Sequence, residues 1–153
     1  FTINNMCEIV EDVIFAREGI AAGVEFEKSI SKTPIMVNCD VGQITQVLTN
    51  IIKNAEEAIM DKKSEDKKIT KGIIKVKISK VMNKCAISVR DNGKGFAAEI
   101  REHITEPYVT TKSKGTGLGL AIVKKITEDH GGALEFKNVS GVACVYLSFP
   151  LQQ

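Results

Sequence analysis

Between Gly72 and Asp91 the chain alternates in a way that leaves few options for its fold. Ile74, Val76 and Ile78 are apolar, and Lys75 and Lys77 stand between them. Successive side chains of a strand point to opposite faces, so a strand over 72–81 has one dry face and one wet face. Met82-Asn83-Lys84 turns the chain, and Ile87 and Val89 then alternate with Ala86, Ser88 and Arg90 over 84–90. A hairpin of this kind needs cover on one side only. That argues against a parallel sheet with helices on both faces and for helices packed on one.

The segments that could supply the cover are legible. From Asp40, the residues Ile44, Val47, Leu48, Ile51, Ile52, Ala55 and Ile59 form one apolar stripe, which predicts a helix over 41–60. Asp40 and Gln43 form a capping-box-like start, in which Gln43 reaches back to residue 40. Met6, Ile9, Val10, Val13 and Ile14 predict a helix over 5–18, ended by Gly19 and Gly23. Leu118, Ala121, Ile122 and Ile126 predict another over 117–130, stopped at Gly131-Gly132. Short strands are expected at 24–27, 35–37, 133–138 and 142–149. The run Asp61-Lys-Lys-Ser-Glu-Asp-Lys-Lys68 has no apolar residue and reads as a solvated loop. Residues 97–116 read as a short helix and a polar loop.

Length and charge bound the function. The 153 residues suit one domain over 1–153 with a sizeable core. The net charge of +2 gives no case for nucleic acid or an anionic membrane as main partner. The four cysteines, Cys7, Cys39, Cys85 and Cys144, are scattered among apolar residues and read as buried free thiols. That pattern favours a reducing compartment, the cytoplasm. No cysteine or histidine cluster suggests a metal centre. The chain opens at Phe1 without a methionine, which is expected of a fragment of a longer protein.

Three features stand apart from core logic. Asn50 and Asn54 are four residues apart and share a helix face. Their amide oxygens suit a hard cation, although a solvated polar face would look the same. Asp91-Asn92-Gly93-Lys94-Gly95-Phe96 follows a strand, and its glycines allow tight or positive-φ turns and close approach to a ligand. By itself it could be a simple turn. Gly115-Thr116-Gly117-Leu118-Gly119-Leu120 runs into a helix whose N–H groups and dipole suit phosphate. The dinucleotide pattern fails because Leu120 stands where its third glycine belongs, and no strand immediately precedes the run. A Walker A loop fails as well, since Gly93-Lys94 lacks the required spacing.

Taken in order, the N-x-x-x-N helix, the strand with D-x-G-x-G, a basic loop and a G-x-G-x-G helix start resemble the ATP-binding domain of sensor histidine kinases. That domain belongs to the group that includes gyrase, Hsp90 and MutL, the Bergerat ATP-binding fold. The resemblance covers about 24 to 150, and is most similar to nitrogen-regulation kinases of the NtrY and NtrB types. Residues 46–58 look like the N box, 91–96 the first glycine box, Pro107 to Lys112 the F box and 115–120 the second glycine box. The resemblance implies an α+β two-layer sandwich, with a mixed sheet of about five strands and about three helices on one face. It implies ATP and Mg²⁺ as cofactors. Asn54 would hold the metal and Asn50 would assist near it. Asp91 would accept from the adenine amino group, and Gly93 and Gly95 would shape the adenine pocket. Gly115, Thr116, Gly117, Leu118, Gly119 and Leu120 would cradle phosphates, with Lys112 or Lys114 adding positive charge. Residues 97–116 would be a mobile lid.

Some positions depart from the pattern. Tyr108 stands near the place of the usual F-box phenylalanine, and Glu57 stands where some relatives carry a basic residue. Where gyrase-like ATPases resemble one another in a water-activating glutamate, this chain has Asn50, an amide without useful basicity. That favours phosphoryl transfer to a protein over hydrolysis. The alternatives are a Bergerat-fold ATPase of another family and a nucleotide-binding pseudo-kinase. Neither His103, in the lid, nor His130, read as capping a helix end, has an acceptor-box context. The acceptor histidine is thus expected on a separate helical dimerisation domain. A response regulator would be an indirect partner. The resemblance implies a homodimeric full-length protein, compatible with a membrane anchor, and a monomeric fragment.

Overall fold

The structure is a computed structural model and describes residues 1–65, 71–93, 118–139 and 142–152. Its elements are β1 (Thr2–Asn5), α1 (Met6–Arg17), β2 (Val24–Ile30), β3 (Met36–Cys39), α2 (Val41–Glu65), β4 (Gly72–Val81), β5 (Lys84–Asp91), α3 (Leu118–Asp129), β6 (Ala133–Val139) and β7 (Val142–Pro150). A five-stranded sheet runs β2-β4-β5-β7-β6. It is mixed: β2 pairs parallel to β4, and the other neighbours are antiparallel. β1 and β3 form a separate two-stranded antiparallel sheet.

The alternation of the hairpin decides the layering. Ile74, Val76, Ile78, Ile87 and Val89 are buried, whereas Lys75, Lys77 and Arg90 are exposed. On β7 the inward partners are Val145, Leu147 and Phe149. The apolar stripe of α2 meets this face, and Ile44, Val47, Leu48, Ile51, Ile52, Ala55 and Ile59 are all buried. Burying one large aliphatic side chain contributes roughly 1.5–3 kcal/mol, so the stripe is the main cohesive strip between the two layers. α1 packs on α2 and β2, and α3 on α2 and β6. The three helices and the sheet share one core cluster.

Polar groups set the element ends. Asn5 Oδ1 caps α1 by accepting from Cys7 N at 3.1 Å, and it also accepts from Ile35 N at 3.2 Å. Asp40 Oδ1 accepts from Gln43 N at 2.9 Å, as the capping reading requires. The reciprocal half differs from expectation. The N–H of Asp40 goes to His130 Nε2 at 3.1 Å rather than to Gln43. His130 is buried, and its Nδ1 lies 2.8 Å from Ile126 O. An imidazole accepting a backbone N–H at Nε2 carries a proton on Nδ1, so His130 donates from Nδ1 to Ile126 O at the α3 end. It caps α3 as expected and in addition bolts that helix to the start of α2. Gly131, at φ +70°, takes the left-handed conformation foreseen after α3.

Two further features lie outside the sequence reading. Arg17, at the end of α1, makes a two-pronged ion pair with Glu56 of α2. α2 also continues to Glu65, through residues 61–65, whose lack of apolar side chains predicts a loop. The four cysteines are free and buried, as expected. Among the described residues, no helix is long and apolar enough to cross a membrane.

Candidate nucleotide site

The site is built along one face of α2. Asn50 and Asn54 lie one turn apart and are both half-buried. Asn50 Nδ2 donates to Gly119 O at 3.4 Å. This contact brings the first turn of α3 against the asparagine face, although the two residues are 69 apart in the chain. A Cβ added at Gly119 would sit 3.9 Å from the same amide nitrogen.

The end of β5 meets the same face further along. Asp91 is buried, and its Oδ1 accepts from Gly93 N at 2.8 Å, which closes the turn on itself. Asn92 is tied to the start of β4 by three bonds. Its N–H donates to Ile73 O at 3.3 Å, its Oδ1 accepts from Ile73 N at 2.9 Å, and its Nδ2 donates to Lys71 O at 3.1 Å. Gly93 then packs directly on α2. A Cβ there would lie 2.6 Å from the Ala58 carbonyl carbon and 2.7 Å from Ile59 N. Gly93 does not have positive φ, so the glycine is required for space against the helix and not for a left-handed turn. The order along α2 is therefore Gly119 at Asn50, then Asn54, then the Asp91–Gly93 turn at Ala58.

Of the residues singled out in the sequence, Asn50, Asn54, Asp91, Gly93, Gly119 and Leu120 are brought to this region or to the α3 start that faces it. Leu118 is the first residue of α3. Gly95, Lys112, Lys114, Gly115, Thr116 and Gly117 lie outside the described residues, as do the whole lid region 97–116, Tyr108 and His103. Sequence reading missed Asn92 and Lys62, whose Nζ donates to Asn92 O at 3.2 Å. The four-residue spacing of positions 50, 54, 58 and 62 was the available signal.

The donor chemistry fits a hard divalent cation better than a soft one. Two amide oxygens on one helix face suit a metal that keeps waters and takes further oxygens from phosphate. Among the described residues, no group of three His, Cys, Asp or Glu side chains could hold a metal by itself.

The fold is thus a one-sided sandwich whose asparagine helix faces both the aspartate turn and the start of α3. The family described as histidine kinase-, DNA gyrase B- and HSP90-like ATPase matches residues 39–153, and the chain belongs to it. Its relatives there are sensor histidine kinases. It is 40% identical over 140 residues to a putative sensor histidine kinase NtrY-like protein of Rickettsia conorii, covering 90% of this chain and 22% of that protein. It is 40% identical over 135 residues to the nitrogen regulation protein NtrY of Azorhizobium caulinodans, covering 88% of this chain and 17% of that protein. The nucleotide-free catalytic domain of histidine kinase ThkA superposes with a TM-score of 0.84 at 31% identity, covering 98% of this chain and 95% of that one. The chain thus matches a solved catalytic domain nearly end to end, while it spans about a fifth of these curated relatives.

Proposed function

We propose that this chain is the catalytic module of a sensor histidine kinase, which binds Mg-ATP and transfers the γ-phosphoryl group to a histidine on a separate helical domain. The observation that carries the reading is the convergence of Asn50, Asn54, the Asp91–Gly93 turn and the α3 start on one face of α2. In this reading Asp91 accepts from the adenine amino group, which makes it the base-reading residue. Gly93, packed on α2, and Gly95 shape the adenine pocket. The N–H groups at 115–120 receive phosphate oxygens, and Lys112 or Lys114 adds charge. Asn54, assisted by Asn50, would hold Mg²⁺, and a bound Mg²⁺ supplies neutralisation of phosphate charge.

The amide at position 50 directs the chemistry. A base that activates water must accept a proton near neutral pH, and an amide does not. The nucleotide is therefore held for attack by a protein imidazole rather than by water. On this account the module works in the cytoplasm, as one domain of a longer and homodimeric kinase. Its partners are its own dimerisation and phosphoacceptor domain and, through that domain, a response regulator; nucleic acid is not among them. Mixing the chain with the helical domain of its own kinase and γ-labelled ATP should give acid-labile, base-stable phosphohistidine, with little ATP turnover by the chain alone. Vigorous turnover by the isolated chain would favour an ATPase, and tight ATP binding without transfer a pseudo-kinase.

A further inference from the structure

The face of α2 that carries the asparagines does not stop at Ala58. Lys62 continues it one turn further, at the same four-residue spacing. It is half-buried, and its ammonium donates to the carbonyl of Asn92, the residue between Asp91 and Gly93. The side chain of Asn92 is engaged with Lys71 and Ile73 of the β4 edge, so it does not tie the turn to α2. Among the described residues, Gly93 packs on the Ala58–Ile59 backbone and Lys62 bonds Asn92 O, and both contacts join the turn to α2. The first sets how closely the turn can approach, and the second holds it there. A lysine ammonium has donors only and makes a charge-assisted bond to a carbonyl, stronger than a neutral one. Lys63, next along the helix, bonds the carbonyl of Gly23 at 3.1 Å and plays no part in the turn.

We infer that Lys62 is a positioning residue for base recognition: by holding the Asn92 carbonyl to α2, it fixes where the Asp91 carboxylate meets the base. The inference rests on the reading of Asp91 as the base reader. A carboxylate held at a fixed distance from α2 discriminates between a base that offers an amino group there and one that offers a carbonyl oxygen. A carboxylate on a looser turn discriminates less.

The test uses the 153-residue chain, with ADP and inosine diphosphate as probes; the latter carries a carbonyl where adenine carries its amino group. Lys62→Met keeps the stem and removes the donor, and Lys62→Arg keeps a donor. Losing one charge-assisted bond that acts only through the turn should weaken ADP binding about 3- to 10-fold in Lys62→Met. Inosine diphosphate binding should change little, so the preference for ADP narrows. Lys62→Arg should restore both affinity and preference, and the melting temperature should be unchanged in both variants. ADP affinity and preference equal to wild type in Lys62→Met would overturn the inference. An equal loss of both nucleotides together with a lowered melting temperature would also overturn it, because Lys62 would then be a general stabiliser. Asp91→Asn is the control: if it binds ADP as wild type does, the base-reading assignment itself is wrong and the role of Lys62 falls with it.

Discussion

Position 93 shows how little room the site leaves at the scale of a single residue. A methyl group there would press on the Ala58 and Ile59 backbone at 2.6–2.7 Å, and helix backbone cannot swing away as a side-chain tip can. Gly93→Ala should therefore cost about 1–3 kcal/mol in stability through overpacking and push the Asp91 turn off α2. Urea unfolding and ADP titration together check this. A variant with wild-type stability and affinity would show the contact to be slack. Asp91→Asn should leave the fold intact, since an amide oxygen can still accept from Gly93 N. It should weaken ADP binding on the order of 10- to 100-fold, because hydrogen bonds to charged groups contribute about 1.5–3 kcal/mol. Titration calorimetry reads the loss, and unchanged affinity would reduce Asp91 to a turn residue. The sequence announced both positions through the D-x-G spacing. It could not announce why Gly93 must be glycine, because the reason lies on a helix 34 positions earlier in the chain.

Legibility at the scale of elements followed local periodicity. The stripe of α2, the β4–β5 alternation and the glycine stop after α3 each lie within one segment, and each element stands where its pattern indicates. Most misreadings lie where the pattern stops; on α3 the stripe itself misled, since Ile122 is exposed and Val123 is the residue that is buried. Thr2–Asn5 is too short and polar to signal a strand, and it pairs only because β3 lies alongside. Residues 61–65 have no apolar residue, yet they stay helical: Lys and Glu are good helix formers, and Lys62 and Lys63 find carbonyls to bond. The capping partner of Asp40 is supplied by His130 of another element, a choice no local rule could make. The Arg17–Glu56 pair belongs to the same class of long-range contact. Its side chains are 17% and 7% exposed, so removing one partner leaves the other largely dry. Glu56→Ala should cost about 3 kcal/mol. The cost should fall well below additivity in the double variant with Arg17→Ala, measured by urea denaturation. A single-variant cost under about 1 kcal/mol would make the pair no better than a surface one.

Across the whole molecule, the core and the site share a helix. The stripe of α2 holds the two layers together, and the half-buried flank beside it carries the asparagines, so core stability and site geometry are coupled. The core also has a titratable element. Cys85 is fully buried, and burial, with Cys7 and Cys39 nearby, pushes its thiol up to about 12 from an ordinary value of 9.0. Well below pH 9.0 the thiol is protonated in both states and stability is complete. Between there and about 12 the unfolded chain gives up the proton while the folded chain keeps it, so stability must fall as pH rises. Urea midpoints at pH 8 and about pH 10.5 should show that fall. Cys85→Ala should make it shallower, leaving the part due to the raised Cys7 and Cys39 thiols, while lowering the midpoint at pH 8 through the cavity left behind. An equal alkaline slope in the variant would assign the effect to other groups.

If one face of α2 holds the nucleotide, with the metal at Asn54, the magnesium dependence of binding should change with that residue. This is tested most directly by titrating ADP into the wild-type chain and Asn54→Ala, each with and without magnesium. Alanine is the best helix former, so packing should be preserved. Mg²⁺ takes few protein oxygens, so the loss of one should remove most of its protein coordination. The two proteins should bind ADP equally without magnesium, and the gain on adding magnesium should be large in wild type and small in Asn54→Ala. Equal gains in both proteins would contradict a metal at Asn54.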